Sequence, residues 1–160
     1  MFVEFEKMPD SSRIWIYQSN REFSGEEVNV ITLNTKNFID NWTRHGDDLK
    51  GAFTIVYNRF VVIAVDENFA NVSGCSIDAS VRFIKQLQSE LNVDLLNKLN
   101  IAFKTNDDVN SVSLYDFRSF IANDKITQDT IVFNNLVDTK ADFESKWEVP
   151  AKESWHQRLF

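Results

Sequence analysis

Ser73-Gly74-Cys75-Ser76-Ile77-Asp78 holds the only cysteine of the chain and one of its four glycines. It lies where an apolar strand pattern gives way to a helical one. The first turn of a helix leaves backbone N–H groups unpaired, and these can bind an anion or stabilise a thiolate. The chemistry such a segment could support is nucleophilic, with Cys75 as the thiolate and His45 as its base. Asp78 works against that, because a carboxylate one turn into the same helix disfavours a nearby thiolate. In the competing reading Cys75 is a small packed residue and Ser73 or Ser76 is the helix N-cap, which suits the usual inertness of free cysteine.

Other side chains offer weaker constellations. His45 with Asp47, Asp48 or Asp66 could ligate a metal, but the chain has only two histidines and no ligand pair with a recognised spacing. Glu153 and His156 match one half of a Glu-x-x-His motif, whose di-iron sites need a second copy and two further carboxylates. No metal and no cofactor are expected. Asp66-Glu67 is a poor acid/base pair, since neighbours on a strand point to opposite faces. Lys50, Ser76, Asp78 and Arg82 are candidates for binding a ligand, with a solvated or ion-paired arginine as the competing fate of Arg82. Asn134-Asn135 reads as a turn.

The elements that must position these residues follow from periodicity. Arg13 to Gln18 is β-branched and aromatic and reads as a strand. Ser24 and Glu27 form a capping box, after which Val28, Ile31, Phe38, Ile39 and Trp42 share one helical face. The stretch from Val28 to Leu33 could also alternate as a strand. Gly46 is the expected helix stop. Gly51 to Tyr57 and Phe60 to Asp66 are two apolar strands, with Asn58-Arg59 as a tight turn. Ile77, Val81, Ile84, Leu87 and Leu91 then recur at helical spacing. Ile101 to Lys104 is a short strand.

This order, strand-helix-strand-strand-helix-strand, predicts an α+β chain with a ferredoxin-like (split βαβ) core: an antiparallel sheet over residues 1–105 with both helices on one face. Residues 106–160 read as an α/β extension of the same single domain. It holds strands at Val109 to Val112 and Thr130 to Phe133, a short helix capped by Ser113 and Asp116, and a last helix capped by Thr139 and Asp142. Phe143 and Trp147 stack four apart in that last helix. Pro150 should end the preceding element, and Trp155, Leu159 and Phe160 should dock on their own domain or on a second subunit. In this topology the end of the first helix, the end of the third strand and the start of the second helix meet at one edge. That edge would gather His45, Asp47, Asp48, Lys50, Asp66, Glu67, Cys75, Ser76 and Asp78.

Composition narrows the classes. The chain has 160 residues, long enough for a core. Its 17 basic against 24 acidic residues, scattered along the chain, argue against a nucleic-acid partner. A single cysteine, an acidic N-terminus and no long apolar run lead to the expectation of a cytoplasmic protein without a membrane partner.

Tyr57-Asn58-Arg59-Phe60, Val65-Asp66-Glu67, Ser73 to Asp78, Phe133-Asn134-Asn135-Leu136-Val137 and Val149-Pro150-Ala151-Lys152-Glu153-Ser154-Trp155 carry a further signal. Through them nearly the whole chain resembles a family of small uncharacterised bacterial proteins often labelled "ABC transporter ATPase". The resemblance implies no catalytic residue. A P-loop needs glycines around four residues followed by Lys and Ser or Thr. None of Gly25, Gly46, Gly51 and Gly74 is followed by Lys-Ser or Lys-Thr. Purified protein is therefore expected to show no ATP hydrolysis; a saturable, magnesium-dependent rate from a contaminant-free preparation would contradict that. The sequence favours a small non-catalytic binding or protein-interaction module, with an unknown protein or small molecule as partner and a homodimer allowed. The alternative is a small-ligand binder or a thiol-dependent enzyme at the Cys75 edge, with Cys75, His45 and Asp66 as catalytic candidates.

Overall fold

The computed structural model describes residues 1–160. The strands are β1 (Arg13–Gln18), β2 (Thr43–Arg44), β3 (Asp47–Asp48), β4 (Gly51–Val56), β5 (Phe60–Val65), β6 (Asn100–Thr105), β7 (Asp108–Ser113), β8 (Ile131–Phe133) and β9 (Glu148–Pro150). The α-helices are α1 (Gly25–Asp40), α2 (Gly74–Leu91), α3 (Leu114–Ala122) and α4 (Lys140–Lys146). The fold is α+β with antiparallel sheets. It divides into two compact units, residues 1–96 with 138–141 and residues 97–137 with 142–160. No helix is long and apolar enough to cross a membrane.

The first unit is built on β5. Its six residues are all buried, as an uninterrupted apolar run predicts for a central strand. β5 pairs antiparallel with β1 on one side and β4 on the other. Val61, Ile63 and Val65 join Ile31 of α1 and Phe83, Ile84 and Leu87 of α2 in one core. Phe38 of α1 stacks on Phe83 of α2 at 4.6 Å. Both helices therefore contribute to the core that covers this face of the sheet.

Local signals explain the helix starts. The Ser24 side chain accepts from the Glu27 N–H, and the Glu27 carboxylate accepts from the Ser24 N–H at 2.9 Å. Arg21 reaches both Glu27 oxygens, at 2.8 and 2.7 Å, and donates to the Leu91 carbonyl at 2.9 Å. The Arg21 guanidinium, with the Ser24 amide, lowers the Glu27 carboxyl to about 2. One arginine thus ties the start of α1 to the end of α2. Ser73 caps α2 by accepting from the Ser76 N–H.

α1 ends at Asp40, earlier than the expected stop near Gly46. Gly46 instead turns the β2–β3 hairpin, where His45 and Gly46 both have positive φ, 51° and 88°. The β4–β5 turn also differs by one residue. Its left-handed positions are Tyr57 (φ 54°) and Asn58 (φ 48°), and an aromatic residue there is unusual.

The four-stranded ferredoxin-like sheet does not form. The sheet of the first unit has three strands, in the order β1-β5-β4. The free edge of β1 is taken by a short return of the chain, with Ile14 N–H donating to the Asp138 carbonyl at 2.9 Å and Arg13 bridging to Thr139. β6 pairs with β7 through the tight turn at Asn106-Asp107, where Asn106 has φ 57°. A neighbour two residues away closes at less entropic cost than a distant one. The division between units accordingly falls at Leu96–Asn97 and not after residue 105.

The second unit holds a sheet in the order β7-β6-β8-β9. Phe103, Phe117, Ile126, Val132 and Ala151 form its core, with Trp155 and Leu159 packed against it. Ser113 caps α3, accepting from the Asp116 N–H at 3.1 Å. Pro150 ends the preceding element, as the last residue of β9, opposite Ile131, on an edge strand where its missing N–H is tolerated. The tail then forms two 3-10 turns, Ala151–Glu153 and Trp155–Leu159. Phe160 remains 40% exposed.

Candidate functional site

Within the first unit two parts of the expected edge meet, the start of α2 with the chain after α1 and Lys50 with Asp66, and these contacts are structural. Trp42 is 2% exposed, and its indole N–H donates to the Ser76 carbonyl at 2.9 Å. The Ser76 hydroxyl donates to the Thr43 carbonyl at 3.0 Å. These two bonds staple the start of α2 to the β2–β3 hairpin. Ser76, offered by the sequence as a ligand contact, is buried and occupied by this staple.

Lys50 and Asp66 do meet, with Nζ 3.8 Å from Oδ2. Asp66 is buried, and its other oxygen accepts from the Asn68 N–H at 3.0 Å, which closes the turn after β5. Glu67 turns away to Arg13, at 3.7 Å. The adjacent carboxylates therefore serve two different cations, and Asp66 is a turn residue tied to Lys50.

Cys75 is exposed, so the packed-thiol reading fails. The buried position of that turn belongs to Ser76, whose hydroxyl finds a backbone acceptor. His45 sits exposed at the tip of the hairpin, with Asp47, Asp48 and Asp78 also exposed. No group of three His, Cys, Asp or Glu side chains that could hold a metal ion comes together. Glu153 and His156 do not form half a metal site either. Glu153 is exposed, whereas His156 is buried and its Nδ1 lies 2.7 Å from the Ser154 hydroxyl. Because Cys75 is exposed, Cys75→Ser should change the unfolding free energy by less than about 0.5 kcal/mol. The thiol should also react with a disulfide reagent no faster than glutathione does. A rate many times that of glutathione at pH 7 would show an activated thiol.

Arg82 lies at a concave surface. A groove of about 490 Å³ runs between α1 and α2. Its floor is apolar, made by the stacked rings of Phe38 and Phe83, interplanar angle 6°, with Leu87. Asn34 and Asn37 of α1 form one wall, and Arg82, Gln86 and Glu90 of α2 form the other. Asn34 donates to Glu90 at 3.3 Å across one end. The helices are held at this spacing by the ring stack and by the Arg21 bridge at the Leu91 end. The arrangement places side-chain amides over an aromatic floor, with a cation towards one end and an anion towards the other. Such a surface can orient a ligand, and it offers no nucleophile.

Sequence periodicity missed this groove because each wall is a polar stripe on its own helix, which reads as a solvated face. The signal lay in combining the helices: Asn34 and Asn37 are one turn apart, and Arg82, Gln86 and Glu90 are spaced by four. Comparison of the chain with family models, with curated proteins and with solved structures finds no match.

Proposed function

We propose that this protein is a small binding or protein-interaction module that performs no catalysis, and that its binding surface is the α1/α2 groove. The observation that carries this reading is the groove itself, an apolar floor edged by convergent amides and two opposite charges. Its volume falls within the roughly 300–1,000 Å³ of ligand sites. Amide side chains donate and accept together, which suits the backbone of a peptide-like ligand. The thiol-dependent alternative at Cys75, His45 and Asp66 has less support, since Asp66 is held by Lys50 and by the turn after β5. The resemblance to small bacterial proteins labelled as ATPases adds no substrate to the proposal.

A backbone-amide NMR titration with zwitterionic tripeptides and fragment-sized amides tests it. Saturable shifts should gather at Asn34, Asn37, Arg82, Gln86 and Glu90. Shifts centred on His45 and Cys75, or no saturable shift at all, would overturn the reading.

A further inference from the structure

We infer that the occupant of the α1/α2 face is a second copy of this chain, docked about a two-fold axis. The inference rests on the groove being the interaction surface, and it begins from charge. Arg82 and Glu90 are exposed and both border the groove. They lie about 12 Å apart along α2, with Gln86 midway. A two-fold axis parallel to the helical layer and just outside it, perpendicular to α2 and level with Gln86, lays α2 antiparallel on its copy. Arg82 then faces Glu90 of the partner subunit, and Glu90 faces the partner's Arg82. Gln86 meets the partner's Gln86, and two primary amides pair donor to acceptor. A parallel arrangement would set like charges opposite, so the same residues select against it.

Two further observations fit this occupant. Glu90 is oriented by the Asn34 amide, which lowers the cost of fixing it in an interface. Beside the groove, Leu33 is 71% and Val30 40% exposed on α1, a ridge of apolar surface that α1 of the partner subunit would cover. The face is small. Helices of 16 and 18 residues side by side present roughly 25 by 20 Å, about 500 Å² per partner. That is at the small end of specific interfaces, so the dimer should be weak and concentration-dependent.

Sedimentation of the full chain from about 5 to 500 µM, a range that covers a weak dimer, reads this out. The weight-average mass should climb from 18.6 kDa towards twice that value. Arg82→Glu and Glu90→Arg should each weaken the dimer about tenfold or more, and the double exchange should restore it to within about threefold. Salt at 0.5 M should weaken the wild type. A dimer indifferent to both single exchanges, or a double exchange without rescue, would overturn the proposed geometry. A chain that stays monomeric while tripeptides shift the groove resonances would overturn self-association and leave the groove reading standing. A monomer whose groove binds nothing would overturn both.

Discussion

Replacing Trp42 with alanine should cost about 3–5 kcal/mol of unfolding free energy, the range for deleting a buried large aromatic. Against a stability of roughly 5–15 kcal/mol, that is enough to leave the first unit close to unfolding. The reason is the number of elements that meet on this ring. Trp42 stacks edge-on against Trp15 of β1 at 6.2 Å and tilts against Phe38 of α1 at 5.3 Å. Its N–H holds the Ser76 carbonyl of α2. Trp42→Phe keeps most of the apolar volume but leaves that carbonyl without the indole donor. It should cost less, about 1–3 kcal/mol. Urea unfolding of the three proteins checks the ranking. A Trp42→Ala variant within about 1 kcal/mol of wild type would show that the staple does not hold the edge together.

The second large effect is a pH dependence set by His156. It is 1% exposed, against Phe117 and stacked on Trp155 at 4.0 Å, with its Nδ1 on the Ser154 hydroxyl. Burial pushes its pKa from 6.5 down to about 4. The folded state therefore holds the imidazole neutral where the unfolded chain protonates it. Above pH 6.5 both states are neutral and stability is at its full value. As pH falls from 6.5 to about 4 the unfolded chain takes up the proton first, and stability is lost across that window. The displacement corresponds to about 3 kcal/mol. Denaturant unfolding at a series of pH values should show this loss in the wild type. His156→Gln should be less stable at pH 7 but should lack this part of the slope. Equal slopes for the two proteins between pH 6.5 and 4.5 would place the acid sensitivity elsewhere.

What could be read from the sequence depended on whether a signal was local. The run Phe60 to Val65 has no polar position, and it became the central strand. Ser24 with Glu27, and Ser73 ahead of the second helix, set the starts of α1 and α2 because a cap acts within one turn. Gly46 misled because a helix C-cap and a hairpin turn ask the same positive φ of a glycine. The fourth strand was recognisable as a strand, but its neighbour was not. β6 carries the same alternation whether it pairs with β1 or with β7, and Asn106-Asp107 favours the nearer partner. Cys75 and Ser76 are adjacent and nearly the same size, so nothing local said which would be buried. The serine is, because the Thr43 carbonyl stands where a hydroxyl can reach it. His156 and the groove needed tertiary information outright, the first from the packing of the tail and the second from the spacing of two helices.

We propose that this protein binds at the groove between α1 and α2. The most direct measurement repeats the amide NMR titration with the Gln86→Trp variant, at a concentration where the chain is monomeric. Gln86 is exposed, so an indole there fills the groove without disturbing the core. The variant should keep the wild-type unfolding midpoint and lose the saturable shifts at Asn34, Asn37, Arg82 and Glu90. A variant that folds normally and still binds the same tripeptides with unchanged affinity would contradict it.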